Sequence, residues 1–104
     1  MRRGEVWWTA LPAPAGRRPV LLLSRDVAYR VRKSATVAPL TRTIRRIPTE
    51  VPLDRTDGVP RTSVISLDDL VTIPLAVLTK RITTLSVTRM RDVDAAIRYA
   101  LDLS

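Results

Sequence analysis

Pro19-Val20-Leu21-Leu22-Leu23-Ser24 carries the reading of the fold: a continuous apolar run between polar neighbours, too short for a helix. A run of this kind fits a strand covered on both faces, and so predicts the centre of a sheet. Upstream, Gly4 to Leu11 alternates, with Val6, Trp8 and Ala10 on one side and Glu5, Trp7 and Thr9 on the other. That pattern predicts a half-buried strand in which Trp7, sharing a face with Glu5 and Thr9, is the more exposed tryptophan. Pro12, Pro14 and Gly16 then break the strand into a loop that leads to Arg17-Arg18-Pro19.

Downstream, Asp26 to Lys33 is weakly patterned and reads as a short helical turn or loop. Thr36 to Ile44 returns to β character, and Pro39 there requires an edge, a bulge or a strand end. Val51–Leu53 and Thr62–Leu67 read as further strands on either side of a turn at Asp57-Gly58. A helical turn is expected over Pro74–Leu78 and a strand over Arg81–Leu85. Ser86 then caps a helix whose apolar stripe is Val87, Met90, Val93, Ile97, Ala100 and Leu101. The expected architecture is a single α+β domain over residues 1–104. It is a strongly bent sheet of short, mostly antiparallel strands, closed as a small barrel by the C-terminal helix.

The composition sets the chemistry. Hydrophobic residues make up 45% of the 104, enough for a small core, and the absence of Phe makes that core aliphatic. The net charge is +8, and 16 of the 18 basic residues are Arg. Up to Arg46 there are 11 Arg or Lys against Glu5 and Asp26, a net of +9, whereas the remainder nets −1. Codon content can favour Arg over Lys, but it does not segregate the charge. Arg offers a planar fork for phosphate, so a polyanion such as nucleic acid is the expected partner.

No Cys and no His are present. That removes thiolate metal sites, disulfides and the commonest general acid or base. Met1-Arg2-Arg3 is followed by Glu5 and by no apolar stretch long enough for a leader or a membrane span, so a cytoplasmic protein without membrane attachment is expected. There is no glycine-rich phosphate loop and no Ser/His/Asp set. Asp68-Asp69, the only adjacent acidic pair, would point to opposite faces of a strand, so neither a metal nor a cofactor is expected. RNA can be cut by its own 2′-hydroxyl, and Arg can stabilise the charge added at phosphorus without a metal. A guanidinium stays protonated, so the proton acceptor must be a carboxylate, a water or a phosphate oxygen.

Arg3-Gly4-Glu5-Val6-Trp7-Trp8, Arg18-Pro19-Val20-Leu21-Leu22-Leu23-Ser24-Arg25-Asp26, Ala38-Pro39-Leu40-Thr41, Thr62-Ser63-Val64-Ile65 and the final helix, taken in order, resemble the MazF/PemK toxins. The resemblance implies an SH3-like β-barrel of the CcdB/MazF type that forms a homodimer. It implies a type II toxin that cleaves single-stranded RNA at short sequences without metal, leaving 2′,3′-cyclic phosphate and 5′-hydroxyl ends, and that an acidic antitoxin neutralises. By the same resemblance Arg18 holds the scissile phosphate and Thr41 hydrogen-bonds it. The loop Pro12–Arg17 lacks the Gly-Ser-Glu-type segment of many members.

Arg17, Arg42, Arg45 and Arg46 are candidates for backbone contacts, and Trp7 for stacking on a base. Asp69 stands where some relatives carry Gln at an RNA-contacting position and could accept hydrogen bonds from base amino groups. Two other functions are compatible with such a chain: a CcdB-like toxin that poisons gyrase without catalysis, and a small non-toxic nucleic-acid-binding barrel.

Overall fold

A computed structural model describes residues 1–10 and 16–104. In chain order the described elements are β1 (Glu5–Ala10), β2 (Arg17–Leu22), α1 (Ala28–Val31), β3 (Ser34–Thr41), β4 (Glu50–Leu53), β5 (Ser63–Ser66), β6 (Val71–Pro74), β7 (Leu78–Thr84) and α2 (Val87–Ala100). Two 3-10 turns, Arg55–Asp57 and Leu75–Val77, link β4 to β5 and β6 to β7. The sheet runs β4-β5-β3-β2-β1-β7, with β6 also paired to β3. Each of these pairings is antiparallel.

β2 lies at the centre because its apolar run serves two cores. Leu21 belongs to one cluster with Val6, Leu40, Val51, Leu53 and Ile65, whereas Val20 and Leu22 belong to a second with Val37, Ile73 and Leu78. α2 covers the first cluster with Val93 and Ala96, and Met90, Ile97 and Ala100 pack at its margin. Burying a side chain such as Val93, which is 0% exposed, contributes about 1.5–3 kcal/mol. Ser86 caps the helix as expected, its hydroxyl accepting the Arg89 amide at 3.1 Å. Val87 and Leu101, expected on the apolar stripe, are instead exposed, and Ala96 takes a place in the core.

The barrel is open. β4 and β7 end the strand order and side chains bridge the gap between them. Thr83 Oγ1 donates to the Asp57 carbonyl at 3.3 Å, and Arg89 Nε pairs with Asp57 Oδ1 at 3.1 Å. Gly58 follows at φ +90°, and a Cβ there would collide with the Thr83 side chain. The close approach therefore requires glycine twice over, for conformation and for space.

Several strand limits differ from expectation. β3 starts at Ser34 and ends at Thr41 rather than running to Ile44, because Thr41 Oγ1 accepts the Thr43 amide at 3.2 Å and turns the chain. Pro39 sits inside β3, where the missing N–H is tolerated at a change of partner. On that edge β6 covers Ser34–Val37, β5 covers Leu40–Thr41, and Pro39 falls between them. β6 itself has no period to announce it, since its four residues become a strand only by pairing with β3. The break expected at Pro12 and Pro14 lies outside the described residues.

A basic cleft between the second and third strands

β2 and β3 bring the two principal candidates together. Their ladder runs from Val20, opposite Pro39, to Leu22, opposite Val37, and Arg18 and Thr41 each lie two residues beyond its Val20–Pro39 end. Both side chains line a cleft of about 670 Å³, with Arg17, Arg42, Arg61 and the hydroxyls of Thr43 and Ser63 around it. Trp8, Pro19, Leu40, Val59 and Pro60 supply its apolar surface. No Asp or Glu lines it among the described residues.

The supports of these groups are specific. Thr9, 0% exposed, donates its hydroxyl proton to the Arg18 carbonyl at 2.8 Å and so fixes the backbone from which the guanidinium projects. Thr41 Oγ1 is an acceptor for the Thr43 amide, which leaves the hydroxyl proton to donate to an anion. The loop after Thr41 is gathered around Glu50. The Glu50 Oε1 atom accepts the amides of Arg45 and Arg46 at 2.9 and 3.0 Å, and Arg46 holds the left-handed φ of 56°. The carboxylate is thus buried while the arginines of that loop face solvent.

The other candidates are placed apart. Trp7 packs against the second core cluster, with its Nε1 donating to Glu5 Oε1 at 3.0 Å, and it lines no part of the cleft. Both tryptophans are half-buried. Trp8 is the one in the cleft, under the Arg17 guanidinium, whose carbon lies 4.5 Å from the ring centroid. The reason is that β1 is covered on both faces, so alternation assigns a face but not its exposure. Asp69 accepts the Ser66 hydroxyl at 2.7 Å, away from the cleft, and Asp68 accepts that of Thr49 at 2.7 Å. Sequence reasoning missed Arg61, Ser63 and Glu50. Only Pro60-Arg61, directly after the Asp57-Gly58 turn, gave a local hint of a cation presented by a loop.

Among the described residues, no three His, Cys, Asp or Glu side chains gather where a metal could be held. No helix is long and apolar enough to cross a membrane.

A fork-bearing cation and a hydroxyl donor lining one cleft beside an aromatic ring give a small α+β protein a surface suited to a polyanion. Comparison with known proteins makes this particular. A family model described as the PemK-like, MazF-like toxin of type II toxin-antitoxin systems matches residues 2–101. Over 103 residues the chain is 45% identical to the probable endoribonuclease MazF5 of Mycobacterium tuberculosis, spanning 98% of this chain and 94% of that one. The structure of the Mycobacterium tuberculosis toxin MazF-mt6 superposes with a TM-score of 0.88 at 36% identity, covering 96% of this chain and 98% of its own. An endoribonuclease from a mycobacterial species, solved with its cognate antitoxin, gives 0.89 at 25% identity, covering 100% and 97%. The chain belongs to the PemK/MazF-like toxin family, and its bent antiparallel sheet with a C-terminal helix is the fold those structures share.

Proposed function

We propose that the chain, acting as one domain over residues 1–104, is the toxin of a type II toxin-antitoxin system. It is a metal-independent endoribonuclease that cuts single-stranded RNA at short sequences in the cytoplasm. The observation that carries this reading is that Arg18 and Thr41 line one cleft whose charged lining, among the described residues, is wholly basic. The relatives' names as endoribonucleases agree with it.

In the reaction the 2′-oxygen bonds to the adjacent phosphorus and the bond from phosphorus to the 5′-oxygen breaks. The products are a 2′,3′-cyclic phosphate and a 5′-hydroxyl, with one proton leaving the 2′-hydroxyl and one delivered to the 5′-oxygen. Arg18 places parallel N–H donors on the non-bridging oxygens as their charge grows, and Thr41 donates one more hydrogen bond. Arg17 and Arg42 hold neighbouring phosphates. Trp7 and Asp69 line no part of the cleft, and the reading rests on the other four.

The active species is a homodimer, and its antitoxin is an acidic segment that folds over the cleft in competition with RNA. Incubation of the folded protein with a long RNA in excess EDTA tests the activity. Discrete fragments with cyclic phosphate ends are expected, and RNA left intact refutes the reading.

A further inference from the structure

A second groove, of about 530 Å³, opens beside the first. The two share Trp8, Arg17, Val59 and Pro60, and the second continues over Arg55, Lys80 and Arg81. Its cations come from two places. Lys80 and Arg81 stand on β7, opposite Trp8 and Trp7 of β1, while Arg55 opens the 3-10 turn after β4.

The carboxylates nearest in sequence are engaged elsewhere. Asp54 accepts the amide and hydroxyl of Thr56, and Asp57 accepts the Asp54 amide and pairs with Arg89. Arg81 reaches the buried Glu5 at 3.3 Å, but Arg55 and Lys80 form no ion pair among the described residues. No Asp or Glu lines this groove either, among those residues.

We propose that this second groove is a subsite for the backbone of nucleotides flanking the cleavage point, with Trp8 at the junction as the platform on which one base stacks. The inference rests on the reading of the first cleft as the site of RNA cleavage. A single strand leaving the first cleft meets an indole face and then Arg55 and Lys80, which form no ion pair among the described residues, beside Arg81, which is shared with Glu5. That sequence of surfaces matches alternating bases and phosphates. Arg17, now over the indole, can move aside to a phosphate when a base takes its place, because its long side chain is exposed. An acidic peptide would use the charges but not the ring.

The test begins with a cleavage point mapped in a long RNA. Oligoribonucleotides centred on that point are made short, extended on the 5′ side and extended on the 3′ side, with 2′-O-methyl groups that block the nucleophile. Their dissociation constants are measured against salt for the wild type and for the Arg55→Ala/Lys80→Ala double variant. Both replaced side chains are exposed, and circular dichroism checks the fold.

The wild type should bind one extended RNA several-fold more tightly than the short one. The double variant should lose most of that gain, with a log–log salt slope flatter by about 1.4, roughly 0.7 for each lost phosphate contact on a single strand. An equal gain in both proteins overturns the subsite. So does a double variant that binds every RNA normally while losing affinity for polyglutamate, because the groove then serves a protein ligand. Failure of the wild type to cleave any RNA counts against the cleavage reading, whereas cleavage without a length effect counts against the subsite alone.

Discussion

Thr9 and Arg18 face each other across β1 and β2, and the fully buried Thr9 hydroxyl donates a 2.8 Å hydrogen bond to the Arg18 carbonyl. The residue that places the guanidinium is therefore itself held from beneath. Thr9→Val keeps the shape and removes the donor, and it should cost about 1 kcal/mol of stability. Cleavage should fall as the Arg18 backbone loosens, and Thr9→Ser should restore both. Thermal melts alongside initial rates check this; a stable Thr9→Val protein with unchanged rate would remove Thr9 from that role.

Arg18→Ala should leave the circular dichroism spectrum intact and lower kcat by roughly 10²–10³, the loss typical of removing a donor aimed at developing charge. Arg18→Lys should recover little of it, because an ammonium lacks the bidentate fork. Thr41→Val should lower kcat less, since it removes one neutral donor. Rates on a single defined RNA decide the ranking.

Glu50 organises the basic loop through two amides, so Glu50→Ala should cost about 1–3 kcal/mol and release Arg45 and Arg46 from their positions. The expected kinetic signature is a raised KM with kcat changed much less. Glu50→Gln keeps an acceptor oxygen and should rescue most of the effect; a Gln variant as poor as Ala would refute the anchoring role.

Glu5 predicts a pH dependence. Burial alone would push its carboxyl up, but hydrogen bonds from Trp7 Nε1, the Arg2 amide and Arg81 outweigh it and hold the carboxyl below its ordinary 4.5. The unfolded carboxyl takes up its proton at higher pH than the folded one. The stabilisation is thus whole above the unfolded value and is lost as pH falls through the folded value. Thermal melts from neutrality down through the carboxylate range should show Glu5→Gln less stable at neutral pH, with the gap to the wild type closing in acid.

Much of the fold was legible because its signals are local. The Val20–Leu23 run marked the central strand, and Ser86 with Met90, Val93 and Ile97 marked the capped helix. β6 was not legible, since Val71-Thr72-Ile73-Pro74 is too short to show a period and owes its strand character to β3. For the site, the family pattern pointed to Arg18 and Thr41, and the fold brings both to the lining of one cleft. Alternation groups Trp8 with Val6 and Ala10 but cannot say which face of a doubly covered strand reaches the cleft.

The sequence by itself determined a small aliphatic α+β domain with excess arginine and neither His nor Cys. It thereby set the kind of partner and limited the available chemistry. Only the tertiary structure decided where that charge acts. Among the described residues, every acidic side chain except that of Asp102 is tied to an amide, a hydroxyl or an arginine. The antiparallel strand order meanwhile carries Arg61, Arg55 and Lys80, from a half whose net charge is slightly negative, to the grooves beside Arg17. Net charge along a chain sums both signs, whereas the field in a cleft depends on which side chains line it, and strand pairing between distant segments sets that lining.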